Sequence, residues 1–276
     1  MSSILTNNGA MVALQTLKGI NSNLSKTQSE ISTGKSVANA KDNAAIWAIA
    51  KTMENDVSGF KTIGSSLALG ESTVSVARTA AESVATLLGK ISDKIIAAQE
   101  GNIDREKMQT DIKALREQIT SVVDSAQFNG LNLIDGTSTD DVTILSSLNR
   151  KADGTVEAAH ITVGRIDLKV DGGLSDLEDL DVTDDHADAL EKITGLIKTA
   201  TDAAAAFGSA EQRITIQKDF VGKLADAMTS GIGSLVDADM EEASARLQAL
   251  QVQQQLATQS LSIANQAPQQ LLSLFR

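Results

Sequence analysis

The chain has 276 residues, 42% of them hydrophobic but only 2% aromatic, with one proline, no cysteine and a net charge of −12. There is enough apolar material for a sizeable core. The missing cysteines exclude disulfides, thiolate zinc sites and cysteine nucleophiles, and the scarcity of rings argues against an aromatic-lined pocket for a small molecule or cofactor. Residues 135–191 hold 15 acidic and 4 basic side chains, a net −11, so both ends are nearly neutral and no basic stripe invites nucleic acid.

Met1–Ser2–Ser3–Ile4–Leu5–Thr6 lacks the basic start and apolar core of a cleaved signal peptide, and no apolar run in the chain reaches membrane-spanning length. Residues 1 to about 8 offer little to pack and are expected to fray. From Ala10 a helical spacing appears in Ala10, Leu14, Leu17, Asn21, Leu24, Gln28 and Ile31, ending at Gly34, a natural left-handed cap. The polar seam residues Asn21 and Gln28 are of the kind that fix register at a cost in stability. Gly34–Lys35–Ser36 is not a phosphate loop, because Ser29 stands where that motif requires glycine and a helix, not a strand, precedes it.

After a connector at 35–43, Asp42 or Asn43 can cap a very long helix from Ala44 to Ala98. Phe60, Leu67, Val74, Ala81, Leu88 and Ile95 repeat every seven residues, with a companion row at Ile63, Gly70, Ala77, Val84, Ile91 and Ala98. Gly64, Gly70 and Gly89 are costly inside such a helix and point to close packing or flexing. Gly101–Asn102 ends it, and Asp104 caps the next helix, whose stripe is Met108, Ile112, Leu115, Ile119, Val122 and Ala126. That helix folds back antiparallel and stops at Phe128–Asn129–Gly130. Strand patterns follow at Val142–Leu145, Ala159–Val163 and Arg165–Val170, with turns at 152–154 and 171–173, so one or two hairpins are expected. Asp176, Glu178, Asp179, Asp181, Asp184 and Asp185 lack the glycine-centred spacing of a calcium loop and read as a solvated surface.

A third long helix begins near 183–184, with Leu190, Ile193, Ile197, Ala200, Ala204, Phe207, Ile214, Val221, Leu224 and Met228 inward, and weakens at Gly231–Ile232–Gly233. The last helix opens at Asp239, which has capping-box spacing to Glu242. Its seam runs Met240, Ala243, Leu247, Leu250, Gln254, Ala257, Leu261, Ala264, Pro268, Leu271 and Phe275. Between Ala243 and Phe275 Arg246 is the one charged residue. A helix with an apolar seam and an uncharged back is suited to being surrounded by protein. Terminal helices this poor in Lys and Arg are also unlike membrane-surface helices.

The fold class that results is mainly α: a long antiparallel helical coiled-coil rod with the N- and C-terminal helices paired, and a small β-hairpin region in the middle. The division expected is 1–34 with 237–276 as an inner domain, 35–43 and 231–236 as connectors, 44–130 with 183–230 as an outer helical domain, and 131–182 as its hairpins and acidic surface. His160 and His186 stand beside no nucleophile motif, and Glu241–Glu242 is explained by its helix start, so no enzyme, metal or cofactor site is expected.

Three stretches carry a resemblance. ISTGKSVANAKDNAA at 31–45 resembles the N-terminal signature of bacterial flagellins; QFNGLNLIDG at 127–136 resembles the segment after their first helical pair; SIANQAPQQLLSLFR at 262–276 resembles their terminal helix, proline included. The short length and the Ala45–Ile46–Trp47 that closes the signature are similar to compact alphaproteobacterial members. The resemblance implies a filament subunit, exported uncleaved through the flagellar secretion channel and found outside the cell. Its partners would be copies of itself or other flagellins, hook-associated and cap proteins, and an export chaperone. It also implies that Leu14, Leu17, Leu24, Ile31, Leu247, Leu250, Leu261, Ala264, Leu271 and Phe275 pack subunits together in an inner coiled-coil layer. A hook–filament junction protein, which shares the two-ended helical plan, is the alternative.

Overall fold

The computed structural model describes residues 7–100, 104–151, 153–182 and 186–274, the last including backbone alone at 186–187 and 267–274. The expected fraying of residues 1–6, the stop at Gly101–Asn102 and the helix start at 183–184 lie outside the described residues. The described elements are α1 (Asn8–Thr33), α2 (Ala44–Ala98), α3 (Arg105–Ser125), β1 (Gln127–Phe128), β2 (Leu131–Asn132), β3 (Val142–Arg150), β4 (Val156–Val163), α4 (His186–Val236) and α5 (Met240–Leu274). The architecture is mainly α with a small antiparallel β region. Two compact units divide it: 1–57 with 227–276, and 58–226.

In the 58–226 unit the seven-residue repeat of α2 is its core face. Phe60, Ile63, Leu67, Gly70, Val74, Ala77, Ala81, Val84, Leu88, Ile91, Ile95 and Ala98 are all buried. Gly70 lets β3 approach: a Cβ there would lie 2.5 Å from Ile144 Cδ1 and 3.0 Å from its Cγ1 and Cγ2. Gly64 and Gly89 meet nothing within 4 Å, so their absence of a side chain serves no contact. On α4 the inward row is Ala189, Ile193, Leu196, Ala200, Ala203, Phe207, Ala210 and Ile214. Leu190, Ile197 and Ala204, expected inside, are half-buried on its flank. α2 and α4 are also joined at the surface by Arg78 Nε to Glu211 at 2.6 Å and by Lys218 to Glu71.

The end of α3 differs from expectation. The helix stops at Ser125, and Phe128–Asn129–Gly130 forms a turn between β1 and β2, with φ of 50° at Asn129 and 80° at Gly130. Two consecutive left-handed residues make a primed turn, which Asn–Gly strongly favours. The buried Asn132 locks it: its Nδ2 donates to the Val123 carbonyl at 2.7 Å and its Oδ1 accepts from Ile134 N–H at 2.9 Å.

β3 and β4 form one antiparallel hairpin with a bulge between Leu145 and Ser147, closed by a turn in which Gly154 has φ of 85°. The third strand expected at 165–170 is not a ladder strand. Ile166 and Leu168 donate instead to the Leu133 and Ile134 carbonyls at 3.0 and 2.9 Å, pinning an extended segment whose apolar side is buried. The acidic segment is anchored from within. Leu177, Leu180 and Val182 are buried, and Gln109 of α3 bonds both the Leu180 carbonyl and the Val182 N–H, at 2.9 and 3.2 Å.

In the other unit α4 runs unbroken to Val236, through the stretch expected as a connector. Glycine weakens a helix by about 1 kcal/mol but creates no clash. The end is held because Ser36 N–H donates to the Val236 carbonyl at 2.7 Å and Ala238 N–H to the Gly34 carbonyl at 2.9 Å.

Candidate assembly surface

α1 and α5 pack antiparallel in the unit formed by residues 1–57 and 227–276. Local chemistry sets each end. Asn7 Oδ1 accepts from Ala10 N–H at 3.0 Å as the N-cap of α1, and Gly34, at φ of 69°, closes its C-terminus. Asp239 Oδ1 accepts from Glu241 and Glu242 N–H at 2.9 and 3.1 Å to start α5. Glu242 does not complete a capping box; it pairs with Arg246 at 2.5 Å.

The α5 seam matches its spacing closely. Ala243, Leu247, Leu250, Gln254, Ala257, Leu261 and Ala264 are buried or half-buried, and every other residue from 244 to 266 is exposed. Met240, placed first in that seam, is 43% exposed.

The α1 seam is a different row from the one expected. Ala10, Ala13, Leu17, Ile20, Leu24, Thr27 and Ile31 turn inward, while Leu14, Asn21 and Gln28 face out. Both rows have three-four spacing and share Ala10, Leu17, Leu24 and Ile31, so the pattern alone does not separate them. The polar residue inside the pair is Thr27, 2% exposed. Asn21 stands at the edge, where its Oδ1 accepts from Gln254 Nε2 at 2.7 Å. A second tie runs from Asn7 Nδ2 to the Ala264 carbonyl at 2.7 Å. Of the residues expected to pack subunits, Leu17, Leu24, Ile31, Leu247, Leu250, Leu261 and Ala264 lie in this seam within one chain and Leu14 lies outside it; the side chains of Leu271 and Phe275 are outside the described residues.

Outside the seam, large apolar residues stand exposed among neutral polar ones. Met11, Val12, Leu14, Val252, Leu256 and Ile263 are 44–64% exposed. Val12, Thr16, Leu256 and Ser260 line an open groove along the pair. The signal for these six residues in the sequence is the scarcity of charge on α5, where Arg246 is the one charged residue between Ala243 and Phe275. Lys51, and then Lys35, holds the Glu54 carboxyl below the usual carboxylate range near the base of the pair. Such exposed ion pairs contribute little to stability. Among the described residues no group of His, Cys, Asp and Glu is arranged to hold a metal ion, and no helix is long and apolar enough to cross a membrane. His160 is exposed on β4.

Paired terminal helices with a narrow seam and large apolar residues exposed outside it, in a mainly α chain with two small antiparallel hairpins, define a two-ended helical protein. Family models described as the bacterial flagellin N-terminal helical region and the bacterial flagellin C-terminal helical region match residues 4–139 and 190–275. Flagellin FljM of Caulobacter vibrioides is 38% identical, covering 100% of this chain and 99% of its own. Flagellin of Brucella melitensis biotype 1 is 38% identical, and Flagellin C of Rhizobium meliloti (strain 1021) 36% identical, each covering 100% of both chains. The chain belongs to the bacterial flagellin family.

Proposed function

We propose that this protein is a structural subunit that polymerises into the bacterial flagellar filament, outside the cell. The observation that carries this reading is the surface of the α1/α5 pair. Outside their seam, six large apolar residues are exposed on two helices whose few charged side chains cancel. A free monomer gains nothing from such a surface, whereas contact with neighbouring copies would bury it at about 25 cal/mol per Å² of apolar area. Full-length similarity to flagellins supports a filament subunit over a hook–filament junction protein.

In this reading residues 1–34 and 237–276 form the inner layer of a tube, and 44–130 with 183–230 the layer outside it. Residues 131–182 carry the acidic surface outward. Leu14 and its exposed neighbours contact other copies directly. Leu17, Leu24, Ile31, Leu247, Leu250, Leu261 and Ala264 fix the helix pair that presents them, and Leu271 and Phe275 extend the same packing. Delivery is uncleaved, through the flagellar secretion channel with an export chaperone, and the subunit joins hook-associated and cap proteins at the two ends of the filament.

The test is self-assembly. Purified protein given seeds or salt should form long filaments by negative stain. Deletion of residues 261–276 should leave a soluble, largely helical monomer that does not elongate. Normal filaments from the truncated chain would refute the proposal.

A further inference from the structure

Sulfur enters this chain as six methionines and no cysteine. Among the described residues Met11 and Met240 are 59% and 43% exposed, while Met53, Met108 and Met228 are half-buried. Met11 is not on a loose end. It lies one turn into α1, its N–H donates to the Asn7 carbonyl at 3.0 Å, and Asn7 is itself tied to α5 through Ala264. It shares the outer side of α1 with Val12 and Leu14. An exposed thioether is open to small two-electron oxidants, and its sulfoxide is polar where the thioether was apolar.

We infer that Met11 is a site of reversible oxidation by peroxide, and that the sulfoxide bars the subunit from assembly. The second half rests on the filament-subunit reading. The step needs only hydrogen peroxide. A sulfur lone pair attacks one peroxide oxygen, the S–O bond forms as the O–O bond breaks, and a proton moves to the departing oxygen, which leaves as water. Sulfur loses two electrons and the peroxide gains two.

On the α1 face the new S=O group would stand beside the exposed Val12 and Leu14, on a surface that a neighbouring copy covers in the filament reading. Burying such a group is unfavourable. Met240 is the internal contrast. It follows Asp239 and precedes Glu241 and Glu242 at the start of α5, and a sulfoxide among those carboxylates remains hydrated. Oxidation at Met240 therefore leaves assembly intact. The device acts on the free subunit, because a copy already in a filament has its α1 face covered.

The experiment treats purified full-length monomer with hydrogen peroxide, maps sulfoxides by peptide mass spectrometry, and measures the critical concentration for seeded assembly by sedimentation. Met11 and Met240 should be modified before Met53, Met108 and Met228, and Met11 should be protected in preformed filaments. The critical concentration of oxidised monomer should rise about tenfold, and methionine sulfoxide reductases should restore it. Met11→Leu, which keeps apolar volume, should assemble equally well before and after peroxide; Met240→Leu should lose assembly as the parent does. The inference is overturned if Met11 is not among the first residues modified, or if oxidised Met11→Leu loses assembly as fully as the parent. Untreated parent protein that fails to assemble on seeds overturns the filament reading instead, and the peptide map then still decides whether Met11 is the reactive site.

Discussion

Replacing Gly70 by alanine sets two effects of known size against each other. In the interior of a long helix, alanine is favoured over glycine by roughly 0.5–1 kcal/mol. At Gly70 the added Cβ would meet three atoms of Ile144, the nearest at 2.5 Å. Ile144 is 6% exposed and β-branched, so it has little room to move away. Overpacking of this kind costs about 1–3 kcal/mol. Gly70→Ala should therefore range from neutral to about 2.5 kcal/mol less stable. Gly89→Ala, on the same helix with nothing within 4 Å, should be about 0.5–1 kcal/mol more stable. Urea unfolding followed by far-ultraviolet circular dichroism separates the two by the direction in which each midpoint moves. Ile144→Val deletes Cδ1, the nearest atom, and should recover part of the loss in the double variant, more than additivity allows. Equal stabilisation by Gly70→Ala and Gly89→Ala would show that α2 and β3 are not in close contact and refute the reasoning.

Leu250→Ala, in the α1/α5 seam, should cost about 2–5 kcal/mol in thermal unfolding of the monomer, whereas the exposed Leu14→Ala should shift it by no more than about 0.5 kcal/mol and instead raise the critical concentration in sedimentation. The Glu71 carboxyl is held below its ordinary range by hydrogen bonds from Lys218 and then Thr215. Its contribution is therefore full above the ordinary carboxylate pKa and is lost as pH falls through the depressed value. Glu71→Gln should be less stable at pH 7 and show a flatter loss of stability on acidification, read by unfolding titrations at a series of pH values. Asn132→Ala strands the buried Ile134 N–H and leaves the Val123 carbonyl only its bond from Ala126 N–H at 3.3 Å, and should cost about 1–3 kcal/mol in the same titration.

The long helices were legible because their apolar rows are the consequence of helical geometry. All twelve positions of the α2 repeat are buried. α5 was legible for a sharper reason: Val252, Leu256 and Ile263 on its back stand among glutamine, serine and threonine and make no unbroken three-four row to compete with the seam. α1 was not, because Leu14 on its back is as apolar as the residues in its seam. A spacing rule cannot choose between two apolar rows when one of them belongs to other molecules. The same limit applies at 165–170, where alternation marks one buried side correctly but does not say whether the backbone finds a ladder partner. Asn129–Gly130 follows the helical stripe of α3 so directly that it resembles a helix end, although the dipeptide is a strong primed-turn signal; two-residue strands on each side leave little alternation to reveal the hairpin. The apolar surface of the α1/α5 pair shows in the sequence as a scarcity of charge on α5, but which residues stand out on it depends on the seam register.

The ties that close the terminal unit join residues far apart in the chain. Ser36 and Val236 are 200 positions apart, Asn21 and Gln254 233, and Asn7 and Ala264 257. The 58–226 unit, by contrast, is one continuous stretch. The two units therefore mature at different times. A chain that emerges N-terminus first presents α1 long before any of its partners exist, and the stretch 58–226 can close on itself in between. Loop closure adds little for such separations, since its cost grows only with the logarithm of length. The delay is thus set by when α5 becomes available. For all of that interval the α1 seam residues Leu17, Ile20 and Leu24 have no mate, so the N-terminal helix must be kept from both folding alone and binding elsewhere until the last forty residues arrive.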